Sequence, residues 1–116
     1  MESINNITLY IDKSLEKEFY TELKKFNIEV NPIGSDLKTL NIAKRTLTFI
    51  KDNLRYLDGL RKSLIALLGG ERNLKISITK NDGSSISIEG DLDKGEIIEV
   101  LKEASALIIS QSDKER

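Results

Sequence analysis

Serines are the first residues to weigh for chemistry, because Ser84, Ser85 and Ser87 cluster within four positions. A serine nucleophile needs a base, and the chain contains no histidine and no cysteine. Lys75 or Lys80 would have to serve instead. The alternation of polar and apolar residues in this segment makes a polar strand face the better account. Asp82, Asp91 and Asp93, with Glu96 nearby, supply spaced oxygen ligands. They lack the ligand order and closing glutamate of a calcium loop. Turn and helix-cap roles explain them more simply. Gly69-Gly70 follows a helical pattern and precedes a strand pattern, the reverse of a phosphate-cradling loop. The chain therefore reads as non-enzymatic, with no catalytic residue, cofactor or metal ligand to nominate.

Charge offers a second route to function. The net charge of −1 creates no strong global field. Between Asp36 and Arg72, however, eight Lys and Arg stand against four acids. Lys44, Lys51, Arg55 and Lys62 are the candidates for touching nucleic-acid phosphates. On one helix they scatter over more than half a turn, so mixed-charge solvation is the simpler reading and nucleic-acid binding the alternative.

The elements that would position these groups follow from apolar spacing. Ile7, Leu9 and Ile11 alternate with polar residues and predict a strand. Asp12 or Ser14 can cap a helix carrying Leu15, Phe19, Leu23 and Phe26 on one stripe, with Asn27 as its stop. Ile28 and Val30 flank Glu29 and predict a strand; Pro32 lacks a ladder donor, so this strand is short or lies at an edge. Residues 35–69 read as a long helix capped by Ser35 or Asp36. Leu40, Ala43, Leu47, Ile50, Leu54, Leu57, Leu64 and Leu68 recur there at steps near a heptad pattern. Unbroken, it would run roughly 50 Å at ~1.5 Å per residue. It either bends at Gly59 or protrudes to meet a partner. Ile42, Phe49, Tyr56, Leu60 and Leu67 widen its apolar arc.

Leu74, Ile76 and Ile78, then Ile86 and Ile88, form two alternating runs around Asp82-Gly83, a hairpin signature. Asp93 and Glu96 form a capping box for a last helix bearing Ile97, Val100, Leu101, Ala104, Leu107 and Ile108. The expected fold is two-layer α+β, with a four-stranded mixed sheet covered by helices in the order β-α-β-α-β-β-α. Residues 1–110 make one domain and 111–116 a polar tail. The N-terminus lacks a charged-then-apolar leader, and no apolar run reaches membrane-spanning length, so a cytoplasmic protein is expected.

The run from Asp52 through Gly69 combines an apolar helix with Asp-Asn-Leu-Arg-Tyr-Leu-Asp-Gly-Leu-Arg-Lys-Ser-Leu-Ile-Ala-Leu-Leu-Gly. The hairpin and then Gly-Glu-Ile-Ile-Glu-Val-Leu-Lys-Glu-Ala follow. This succession resembles the effector-associated constant components of bacterial conflict systems. The resemblance implies a small non-enzymatic adaptor that couples an effector to partners in immunity-like operons, and it carries over no catalytic residue. The expectation is thus a protein–protein interaction module that self-associates and binds a protein partner. Leu47, Ile50, Leu54, Leu57 and Leu64 of the long helix are its candidate interface.

Overall fold

The computed structural model describes residues 4–39, 41–50, 54–69, 74–88 and 94–111. Its first strand, β1 (Ile4–Asp12), buries Ile7, Leu9 and Ile11 completely and turns Thr8 and Tyr10 the other way. Asp12 ends it: its carboxylate accepts bonds from the Ser14 amide at 3.0 Å and hydroxyl at 2.8 Å. That cap opens a short 3-10 turn (Lys13–Leu15) leading into α1 (Glu16–Lys24).

Asn27 then stops the helix in a left-handed conformation, φ 60°. The Ile28 amide reaches back to the Leu23 carbonyl and the Asn27 amide to that of Lys24, the paired bonds of a Schellman motif. Leu23 and Ile28 are both buried, supplying the apolar contact that accompanies it. The strand β2 (Glu29–Pro32) follows and forms one edge of the sheet, as Pro32 requires.

Residues 35–69 depart from the single long helix that their spacing predicts. Asp36 caps no helix; it lies in a loop closed by paired bonds between Leu37 and Ile42, with Asn41 at φ 55°. Residues Ile42–Ile50 are a strand, β3, paired antiparallel to both β1 and β2. Among the described residues of this span, only Leu54–Leu68 is helix, α2. Its interior stripe is Leu57, Leu60, Leu64 and Leu67, all at most 1% exposed. The helix runs on through Gly59, where no break occurs. A Cβ there would stand 2.5 Å from Cγ of Phe26, so the glycine is what lets the α1 terminus press against α2. Buried Ser63 satisfies its hydroxyl on the Gly59 carbonyl at 2.9 Å.

The hairpin forms where its signature places it. β4 (Leu74–Lys80) and β5 (Ser85–Ile88) flank a turn with Gly83 at φ 92°. The last predicted helix is shorter than its stripe. α3 (Lys94–Lys102) ends at a turn, and Ala104–Gln111 form a sixth strand, β6. Asp93 of the expected capping box, and residues 112–116 of the expected tail, lie outside the described residues.

The fold is α+β, but its sheet has six strands in the order β2-β3-β1-β6-β4-β5, not four. The expected element order fails for the same reason: β3 and β6 are absent from it. Only β1 and β6 pair in parallel; every other neighbour pair is antiparallel. The architecture reduces to two split units. β1-α1-β2 encloses β3, β5-α3-β6 encloses β4, and α2 joins the two enclosed strands. Each helix thus links strands of like direction. If each crossover takes the favoured hand, these directions send all three helices to one side of the sheet. The inward residues of all strands but β2 do form one buried cluster with those of α1, α2 and α3.

Candidate interaction surface

With all three helices on one side, no described element covers the other face of the sheet. Strand registers order its residues into rows. One row runs Asn31, Thr46, Thr8, Ala106, Thr79 and Ser85 across all six strands. The next runs Lys44, Tyr10, Ile108, Ser77 and Ser87. At ~4.8 Å between strands, six strands span about 24 Å. In a chain that is 32% charged, these two rows carry one charge, Lys44. Its ammonium sits 5.9 Å from the centre of the Tyr10 ring. Ile108, on the strand next to Tyr10, is 38% exposed. Hydroxyls bond along the sheet: Thr48 donates to Asn6 at 2.9 Å, and Thr79 and Ser85 lie 3.2 Å apart.

The opposite face holds two charged strand residues among its apolar ones in the described strands: Lys80, at the end of β4 and 3.7 Å from Glu103, and Arg45. Arg45 takes an inward position on β3, level with Ala43, Leu47 and Phe49. Its guanidinium pairs with Asp36 at 2.6 Å and with Glu16 at 3.1 Å. Lys13 also meets Asp36 at 3.1 Å, and the Tyr20 hydroxyl donates to Glu16 at 2.6 Å. The bonds from Arg45, then Lys13, hold the Asp36 carboxyl well below the usual carboxylate range. Its bond to Asp36 also raises the Arg45 pKa. Burial, then the bond to Glu16, pushes the Tyr20 phenol above its ordinary value. The cluster is internally matched. It clamps the loop after β2 to the start of α1, and it was missed because Arg45 reads as a helix-surface residue when residues 35–69 read as helix.

The expected interface residues do not form a surface. Leu47, Leu57 and Leu64 are 0–1% exposed and lie in the core. Leu47 is on β3, not on a helix. The Ile50 side chain lies outside the described residues. Leu54 is exposed at 59%, on the outer side of α2. The same helix exposes Ile65, eleven residues on and so on nearly the same face, but Asp58 and Arg61, paired at 2.7 Å, lie between them.

The four expected basic contacts are likewise divided. Lys44 lies on the uncovered sheet face, Arg55 and Lys62 on α2 in the other layer, and Lys51 outside the described residues. Lys62 pairs with Asp58 at 3.4 Å; Arg61 first, and Lys62 with it, lowers the Asp58 pKa. The hairpin serines are structural neighbours. Ser84 gives both its amide and its hydroxyl to Asp82, whose pKa those bonds lower. Among the described residues no three side chains of metal-ligating type converge. No helix among them is long and apolar enough to cross a membrane.

The uncovered face was the surface that spacing alone could not reveal. Its rows exist only once β3 and β6 are known to be strands. Thr46, Thr48 and Phe49 beside Ile50, and Ile108 beside Ile109, are the β-favouring residues that carried that signal. Comparison of the chain with protein-family models, curated proteins and solved structures finds no match to any of the three.

Proposed function

We propose that this chain is a non-enzymatic protein-interaction module that docks a partner protein on the uncovered face of its sheet. The observation that carries the reading is the pair of rows through Thr8 and Tyr10, which cross six and five strands with one charge between them. Depletion of charge around an aromatic residue is the compositional mark of an interface centre. Hydroxyl and amide side chains there offer hydrogen bonds without the cost of stripping water from ions. The adaptor role implied by the resemblance to conflict-system components belongs to the same proposal, with the sheet face replacing the long helix as the docking element.

A photo-crosslinking residue in place of Ile108, tested in cells against the same residue in place of Ile65, examines this reading. The proposal expects one discrete protein adduct at position 108, absent at 65 and lost when Thr8→Lys is added. Equal labelling at both positions, or none at 108, overturns it. An adduct to nucleic acid at 108 overturns it in favour of the nucleic-acid alternative, with Lys44 and Tyr10 as the contacts.

A further inference from the structure

The two edges of the sheet are built differently. β2 carries Glu29 and Pro32, a charge and a missing amide donor, which are ordinary protections against strand addition. β5 reads Ser-Ile-Ser-Ile, with neither charge nor proline, and is the last described strand on its side. The turn sets which of its backbone groups are occupied. The Lys80 amide bonds the Ser84 carbonyl at 2.8 Å, and the Gly83 amide bonds the Lys80 carbonyl at 2.9 Å. Counting from that closure, Ile86 and Ile88 exchange the ladder bonds with Ile78 and Ile76. The amides and carbonyls of Ser85 and Ser87 therefore point away from β4, off the edge of the sheet.

We infer that a second copy of this chain pairs here, β5 against β5, antiparallel about a two-fold axis at Ile86. The strand is its own complement. Ser85 of one copy faces Ser87 of the other on both sides of the axis, giving four backbone hydrogen bonds. Ile86 faces itself in a non-hydrogen-bonded pair, the arrangement that brings side chains closest. No like charges meet within the paired segment, since it has none. The axis stands perpendicular to the sheet, so the two uncovered faces join into one continuous surface. This pairing uses the edge and not the face, and it is independent of the docking reading above.

Three measurements test it on the full chain. Light scattering across a concentration series should approach twice the 13.1 kDa chain mass. Ser87→Pro removes an amide that β4 does not use, so it should weaken the dimer at least ~10-fold while leaving the monomer folded. Ile86→Cys introduces the only thiol, at a self-facing pair ~4.5 Å apart between Cα atoms, within disulfide reach. It should oxidise to a linked dimer, while Asn31→Cys on the opposite edge should not. A chain-mass monomer at every concentration overturns the inference, as does a dimer indifferent to Ser87→Pro. If Ser87→Pro fails to fold, the Ile86→Cys linkage decides alone. A dimer lost on Ile108→Asp but kept in Ser87→Pro places self-association on the face, which overturns the edge pairing and leaves the docking reading intact.

Discussion

The two faces of the sheet use the same strands for opposite purposes. Neighbouring residues of β1 show the contrast directly: Leu9 is fully buried beneath the helices, while Thr8 occupies the middle of the uncovered row. On the covered side the burial of Leu and Ile supplies stability, and the inward charge in the middle of β3, Arg45, is answered by two carboxylates. On the other side seven of the eleven positions in the two central rows have a short polar side chain. In the docking proposal, stability and recognition are segregated by the two-residue period of a strand.

The largest test of this division compares adjacent residues. Leu9→Ala should cost about 3 kcal/mol in urea unfolding, because it leaves a cavity in a packed layer. Thr8→Ala should change stability by less than ~0.5 kcal/mol. Similar losses at both positions would mean that the second face is also packed. Next in size is Gly59→Ala. Helix propensity alone favours alanine by about 1 kcal/mol. The clash with Phe26 should reverse that sign and leave a net loss of about 1–2 kcal/mol. A more stable variant would show that Phe26 gives way easily.

The charged cluster around Arg45 on the covered face has a pH signature. Asp36 has a lowered pKa in the folded chain, so its contribution is present above the ordinary aspartate pKa of about 3.9 and is lost as pH falls toward the folded value. Thermal melting of the native chain should therefore decline across this acid range. Arg45→Met removes the larger cause of the shift and should flatten that part of the decline; an unchanged acid limb would show that Lys13 alone sustains it. The smallest effect belongs to Thr46→Val on the uncovered face. It should shift the melting midpoint by under ~2 °C, and a larger shift would reveal structural work by the hydroxyl rows.

How far this arrangement could be read from residue order varied by element. β1, α1, the Asn27 stop, the edge position of β2 and the hairpin were legible, because each has a local cause in side-chain period or turn chemistry. β3 was hidden by its own inward charge. The inward set of Ala43, Arg45, Leu47 and Phe49 leaves apolar steps that mimic a helix once Arg45 is skipped. β6 was hidden by a bulge. Ala104 pairs with Lys80 and Ala106 with Thr79, so Ser105 is an inserted residue. Its hydroxyl leans 3.3 Å from the Thr79 carbonyl, and Ala104 and Leu107 both face inward at a spacing of three. That is a helical interval produced by a strand. The long heptad-like register was in fact one strand followed by one helix. The proposed docking face was illegible until both hidden strands were placed.

The central position of β6 also shapes how the molecule assembles. It pairs in parallel with β1, joining Thr8 to Ala106, and antiparallel with β4. Synthesis from the N-terminus delivers β6 after every other described strand. Until it arrives, β1 and β4 each present an unfilled edge in what will become the middle of the sheet. Pairing Thr8 with Ala106 closes a long loop, and contacts of such high sequence separation slow folding. The same vacancy is a seat that any extended segment could occupy. Unpaired strand edges of this kind are the general route by which folding chains mispair, and here they would lie in the middle of the sheet.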